Sequence, residues 1–151
     1  MSRIVLETMI HAPILRVFDL ARDVGFHESS ASWTNETAVA GVTSGLLELH
    51  DTVTWRARHL AMWHNMTVQI TEFESPTRFV DQMTQGPFRS LRHTHLFEAF
   101  GCDTKMTDEF EFAAPFGSLG RIVELLYLGG YMKSFLLERN RRLKLVAEAS
   151  V

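Results

Sequence analysis

The sequence predicts an α+β domain in which a curved seven-stranded antiparallel sheet wraps around one long C-terminal helix. Two observations support this prediction. Roughly the first 110 residues alternate between apolar and polar side chains with the period of two that is typical of strands. Residues 118–148 instead repeat apolar side chains at spacings of three and four, which indicates one long helix. Since its broad apolar stripe must be covered, the sheet is expected to pack against this helix.

The remaining elements follow in a simple order. Residues 4–10 predict the first strand, and 12–21 predict a short helix because Pro13 suits a first helical turn. Residues 23–30 predict a second short helix or turn. Residues that favour turns then separate six further strands, which are predicted at 33–40, 51–59, 64–73, 78–84, 90–100 and 104–112.

Alternation also predicts which side chains face the interior. In each strand the residues of one parity are mostly apolar and are expected to face inward. Four histidines and two aspartates share this inner parity: His59, His64, His93, His95, Asp81 and Asp108. The sequence therefore predicts polar groups within a mainly apolar interior.

Composition limits the class of protein. The 151 residues fit one domain, 1–151, and a formal net charge of -3 gives no reason to expect binding to nucleic acid. The single cysteine, Cys102, excludes an internal disulfide, and the N-terminal residues lack a signal-peptide pattern, so a cytoplasmic location is expected. The longest apolar run, 125–137, is too short and too interrupted for a membrane span.

A curved sheet that closes over one helix can leave an apolar gap, which predicts a ligand cavity. Aromatic and methionine side chains suit an apolar ligand, although the same side chains also form ordinary cores. The residues expected to contact a ligand have the inner parity or a suitable helical position. They are Trp55, His59, Met66, Phe79, Asp81, Met83, His93, His95, Phe97, Phe110, Tyr127, Tyr131 and Met132.

The inward histidines and carboxylates are candidates for chemistry. Asp81 lies on the strand before His93 and His95, so it could orient either imidazole as a general base. Asp108 could equally be the partner, and the alternative is a structural network of satisfied polar groups. Two histidines at this spacing are a weak metal signal, because a third ligand would have to come from another strand. Neither a metal nor a cofactor is predicted.

Two further features mark the C-terminal helix. Gly129 and Gly130 lie in its middle, where each glycine costs about 1 kcal/mol relative to alanine, so the pair is expected to permit a close approach or a bend. A basic cluster near the helix end is expected to complement the helix dipole. It comprises Arg139, Arg141, Arg142 and Lys144.

Several segments carry a family resemblance. They read LETMIHAP at 6–13, VFDL at 17–20, ITEFESPTRFVD at 70–81, GPF at 86–88 and HTHLF at 93–97. In these segments the chain resembles the START-like superfamily, also called SRPBCC or Bet v 1-like, over almost its whole length. It is most similar to small bacterial proteins described as cyclase/dehydrase-like or Coq10-like. The resemblance implies a helix-grip fold and a hydrophobic ligand such as a lipid, a quinone or an aromatic polyketide-like compound.

Three functions are consistent with these observations. The first is binding of a hydrophobic small molecule between the sheet and the C-terminal helix. The second is a polyketide cyclase/dehydrase-like enzyme in which His93 or His95, oriented by Asp81, removes a proton. The third is a protein-interaction module that docks through the apolar helix. Because apolar residues occupy nearly all faces of 125–137, a homodimer is compatible with this third function.

Overall fold

The structure, a computed structural model, describes residues 1–149 and contains the predicted sheet and C-terminal helix. The strands are β1 Ser2–Ile10, β2 Thr37–Gly41, β3 Thr52–His59, β4 Met62–Glu74, β5 Arg78–Gln85, β6 Ser90–Phe100 and β7 Asp103–Ala113. The helices are α1 Ile14–Ala21, α2 Val24–Ser30, α3 Gly117–Val123 and α4 Gly129–Ala149. A 3₁₀ turn lies at Ser32–Thr34 and a π-helical segment at Glu124–Leu128.

The seven strands form one antiparallel sheet in the order β1-β7-β6-β5-β4-β3-β2. Strands β2 to β7 are sequential neighbours, and β1 completes the sheet by pairing with β7. Because adjacent strands run in opposite directions, the β3–β4 turn, the β5–β6 turn and the end of β7 lie at the same end of the sheet. The chain enters α3 from this end.

The inner face of the sheet follows the predicted parity. Strand β7 alternates strictly between partly exposed and buried residues, and Asp108 is among the buried ones. On the neighbouring strand His93 and His95 are also buried. The alternation in the sequence therefore identified the interior face correctly, including its polar members.

Two apolar clusters fill the space between the sheet and the helices. The first includes Phe18 of α1 and Phe79 of β5. The second includes Phe112 of β7 and Leu136 of α4. Met66 packs against both clusters. The interior thus has two apolar centres rather than one continuous core.

The predicted strand at 33–40 is wrong at its start. Residues Ser32–Thr34 form a 3₁₀ turn, and Asn35 ends it with a left-handed backbone φ of 54°. Strand β2 begins only at Thr37. A short run of alternating side chains fits a tight turn as well as an edge strand, so the pattern alone did not separate them.

The C-terminal helix is continuous but not uniform, because the π-helical segment separates α3 from α4. At Gly129, one of the two glycines expected to permit a close approach, a Cβ atom would lie 3.1 Å from the carbonyl oxygen of Glu124. A much tighter approach, which was not predicted, occurs at Gly120, where a Cβ atom would overlap the carbonyl oxygen of Pro115. A Cβ atom at Gly130 would meet no atom within 4 Å. Among residues 1–149, no helix combines the length and apolar character needed to cross a membrane.

Candidate functional site

A cavity of about 260 Å³ lies between the concave face of the sheet and the C-terminal helix. Its wall is mainly apolar and draws on both clusters, since Phe79 and Leu136 both line it. The volume is close to the lower end of small-molecule sites, which begin at about 300 Å³. A cavity of this volume and lining has room for a compact apolar molecule.

Ten of the thirteen residues expected to contact a ligand lie in the cavity wall. These ten are Trp55, His59, Met66, Phe79, Asp81, His93, His95, Phe110, Tyr131 and Met132.

The other three positions lie outside the cavity wall. Phe97 packs edge-on against Phe18, with ring centroids 5.3 Å apart, so α1 covers it. Met83 packs against both clusters, and its sulfur lies next to Gly86. Tyr127 is exposed on the outer side of the π-helical segment. Strand parity and helical spacing indicate a face but not which neighbour covers it, which explains why these three residues lie outside the cavity wall.

The inward histidines each pair with a different carboxylate. His95 Nε2 lies 2.7 Å from Asp81 Oδ2, and His93 Nε2 lies 2.7 Å from Asp108 Oδ1. The sequence left open which aspartate would be the partner, and the structure uses both. The two imidazole rings stack with centroids 3.7 Å apart, so the two pairs form one unit in the cavity wall.

Helix α4 adds two polar side chains to this unit. Asn140 Nδ2 donates to Asp108 Oδ2 at 2.7 Å, and Arg139 Nη2 lies 3.4 Å from Asp108 Oδ1. Arg139 is only 5% exposed, so its assignment to a basic cluster at the helix end is wrong. The sequence did hold a signal, because Arg139 follows Met132 and Leu136 on the apolar stripe at helical spacing.

The surroundings set the charges of this polar unit. Burial lowers the pKa of His95 to about 4, so this imidazole is neutral near pH 7. Burial alone would raise the pKa of Asp81, but the hydrogen bond from His95 and the nearby positive charges lower it. The same competition lowers the pKa of Asp108, where the hydrogen bond from His93 and the Arg139 charge outweigh burial. Both carboxylates are therefore ionised, and each needs hydrogen-bond donors.

Asp81, His93 and His95 bring potential ligand atoms within 4.8 Å of one another, as in a metal site. Two details of the geometry oppose coordination. The Nε2 atom of each histidine already faces a carboxylate oxygen at 2.7 Å. Arg139 also places a positive charge beside the group. The arrangement favours hydrogen bonding over metal binding.

A second polar group lines the cavity away from the two Asp–His pairs. His27 Nε2 lies 2.7 Å from Glu36 Oε1, and the His27 ring lies over Trp55. His59 Nδ1 lies 2.6 Å from the Tyr131 hydroxyl. Burial lowers the pKa of His59 and raises that of Tyr131. Sequence reasoning missed His27 and Glu36, because nothing in a short helix and the turn after it indicates that they meet.

The cavity extends to the end of the sheet where three connections meet. Leu60 in the β3–β4 turn, Phe88 in the β5–β6 turn and Pro115 before α3 all line it. Leu60 is itself exposed to solvent. A ligand could therefore enter between these connections without crossing the sheet.

Comparison with known proteins supports the architecture. No protein-family model and no curated protein matches the chain. TTHA0849 from Thermus thermophilus matches at 17% identity and a TM-score of 0.74, covering 97% of this chain and 99% of that one. A START superfamily protein from Mycobacterium smegmatis matches at 12% identity and a TM-score of 0.71, covering 99% of each chain. Ginseng major latex-like protein 151 from Panax ginseng matches at 12% identity and a TM-score of 0.64, covering 97% of each. The chain therefore has the START-like, Bet v 1-like helix-grip fold.

Proposed function

We propose that this helix-grip protein binds a hydrophobic small molecule, such as a lipid, a quinone or an aromatic polyketide-like compound, in the cavity beneath α4. The observation that carries the proposal is the mainly apolar cavity of about 260 Å³, which has few polar groups in its wall. The free thiol of Cys102 suits a reducing compartment, so a cytoplasmic location is part of the proposal.

The test uses the neutral fluorescent probe N-phenyl-1-naphthylamine together with native mass spectrometry of the purified protein. Ala57 is buried in the cavity wall, so Ala57→Phe should fill the cavity and weaken probe binding at least tenfold. Ala99 is exposed near the end of β6, so Ala99→Phe is the matched control and should leave binding unchanged. A parent protein that neither binds the probe nor retains a small molecule would exclude the proposal.

A second candidate function, proton abstraction from a bound carbonyl compound, is favoured by the His93–Asp108 pair. The carboxylate holds His93 Nε2 at 2.7 Å, and His93 lines the cavity. The neighbouring His95 is a weak base because burial lowers its pKa to about 4, and its free Nδ1 atom is buried. For a bound compound that turns over, His93→Gln should lower the turnover rate by about 10²-fold or more while binding persists. Unchanged turnover would exclude this function.

The exposed apolar face of α3 and the π-helical segment supports a further proposal, self-association through this face. Phe116, Leu119, Ile122, Leu125 and Leu126 are all exposed there. In a two-fold dimer each copy would cover this face with the same face of its partner. Sedimentation velocity should then show a mass that rises with concentration and that Leu126→Glu reduces to the monomer. A monomer at all concentrations would exclude self-association and leave a different partner for this face.

A further inference from the structure

Asp81 offers the cavity a hydrogen-bond acceptor that no side chain among residues 1–149 uses. Its Oδ2 atom accepts from His95, whereas Oδ1 accepts no side-chain hydrogen bond from within residues 1–149. The side chain lines the cavity and remains 20% exposed. The carboxylate is therefore open to a molecule in the cavity.

The distribution of donors explains why this carboxylate is left open. Asp108, its counterpart in the polar unit, takes hydrogen bonds from His93, Asn140 and Arg139. From the part of the chain that the structure describes, Asp81 receives only the hydrogen bond from His95. A carboxylate can accept about four hydrogen bonds. An ionised carboxylate that accepts only one of them in a mainly apolar wall carries a cost in free energy. A donor supplied by a ligand would remove that cost.

The same unit disfavours charged ligand groups. Asp81 and Asp108 would repel a ligand carboxylate. A ligand cation would lose its hydration in a mainly apolar cavity, where Arg139 already supplies a positive charge. A neutral hydrogen-bond donor meets neither the cost of an anion nor that of a cation. Among common groups, a hydroxyl combines neutrality with a hydrogen that it can donate.

We propose that the cavity selects an apolar ligand that bears a neutral hydroxyl group, which donates to Asp81 Oδ1. This inference rests on the proposed binding function and narrows it to hydroxylated, rather than acidic or purely apolar, ligands. A site with a buried hydrogen-bonding group discriminates strongly against analogues that lack the matching group, because the group of the site is then left unpaired.

Three matched compounds test the inference by competition with N-phenyl-1-naphthylamine at pH 7.5: 2-naphthol, 2-methoxynaphthalene and 2-naphthoate. They share one ring system. 2-Naphthol presents a hydroxyl donor, 2-methoxynaphthalene presents the same oxygen without its hydrogen, and 2-naphthoate presents a negative charge. We expect 2-naphthol to bind at least tenfold more tightly than either of the others. In Asp81→Asn, the affinity of 2-naphthol should exceed that of each other compound by less than threefold. In the control Asp103→Asn, at an exposed carboxylate on β7, both affinity ratios should stay at their values in the parent protein.

The outcomes separate this inference from the binding function beneath it. Probe binding with equal affinities for 2-naphthol and 2-methoxynaphthalene would overturn the hydroxyl preference alone. Tighter binding of 2-naphthoate would also overturn it and would point to Arg139 as the determinant. Failure of the probe and of all three compounds to bind would overturn the binding function and the inference together. The comparison in the unmodified protein decides the matter even if Asp81→Asn does not fold.

Discussion

At the scale of single residues, the polar unit is arranged diagonally across the sheet. Asp81 lies directly opposite His93 in the strand register but pairs with His95. Asp108 lies opposite His95 but pairs with His93. Each carboxylate thus reaches past its direct neighbour, and the stacked rings join the two pairs. Substitutions within this unit should therefore have effects that do not add.

Asp108→Asn should lower the free energy of unfolding by about 3 kcal/mol, because it removes the charge that compensates buried Arg139. Urea denaturation with circular dichroism measures the change. The control is Asp103→Asn, which removes an exposed carboxylate 3.2 Å from the exposed side chain of His11 and should cost less than about 1 kcal/mol. Equal losses in the two variants would contradict the compensating role of Asp108.

His95 should make stability depend on pH in the weakly acidic range. Burial lowers its folded-state pKa to about 4, from an ordinary value near 6.5. Between these values the unfolded chain binds the proton and the folded chain does not. Stability is therefore fully present above about pH 6.5 and falls as the pH falls toward 4, by on the order of 3 kcal/mol.

The variant His95→Gln keeps an amide that can donate to Asp81 but cannot titrate. Its free energy of unfolding, measured by urea denaturation from pH 7 to pH 4, should fall less steeply than that of the parent protein. His11→Gln, at an exposed histidine, should retain the parent slope. Identical slopes in the parent protein and His95→Gln would show that His95 does not remain neutral in the folded state.

At the scale of elements, the C-terminal helix packs closely against the backbone of a neighbouring segment at one glycine and not at another. Gly120 allows α3 to pass close to the carbonyl group of Pro115, whereas Gly130 faces open space. The π-helical segment between them contains Glu124, a buried carboxylate that accepts a hydrogen bond from Ser2 Oγ at 3.0 Å. The first half of the helix is thus tied to the start of β1 and the end of β7.

Alanine substitutions at Gly120 and Gly130 should have opposite effects on stability. Gly120→Ala would place a methyl group against backbone that cannot yield, so a loss of about 2 kcal/mol or more is expected. Gly130→Ala adds a methyl group in open space and should gain about 0.5–1 kcal/mol from its better helix propensity. Thermal and urea unfolding measure both variants. A stabilising Gly120→Ala would contradict the close approach.

At the scale of the whole molecule, the interior is divided into two apolar clusters with a cavity between them. The side chains that line a cavity lack packing contacts on one side, so the cavity lowers the free energy of unfolding. A ligand that fills it restores those contacts. Ligand binding and stability should consequently be coupled.

Saturation with a cavity ligand should raise the melting temperature. At a free concentration 100 times its Kd, a ligand adds about 2.7 kcal/mol, which corresponds to roughly 5–10 °C for a domain of this size. Differential scanning fluorimetry with 2-naphthol measures the shift. Ala57→Phe should abolish the shift, and Ala99→Phe should retain it. A shift that persists in Ala57→Phe would place the ligand outside the cavity.

The sequence by itself determined the element types, the sheet faces and the inward position of both Asp–His pairs. These properties follow from periodicities of two and of about 3.6 residues, which are local and can be read along the chain. The sequence was wrong about the start of β2, where a turn and an edge strand share one local pattern.

Only the tertiary structure decided which groups meet. Three sets of contacts join different elements. Asp81 pairs with His95, Asp108 accepts hydrogen bonds from Arg139 and Asn140, and His27 pairs with Glu36. The bonds from α4 to Asp108 join residues more than 30 positions apart in the sequence. Such contacts are set by strand register and by the path of the helix over the sheet. No local periodicity encodes either, because both result from packing the whole chain at once.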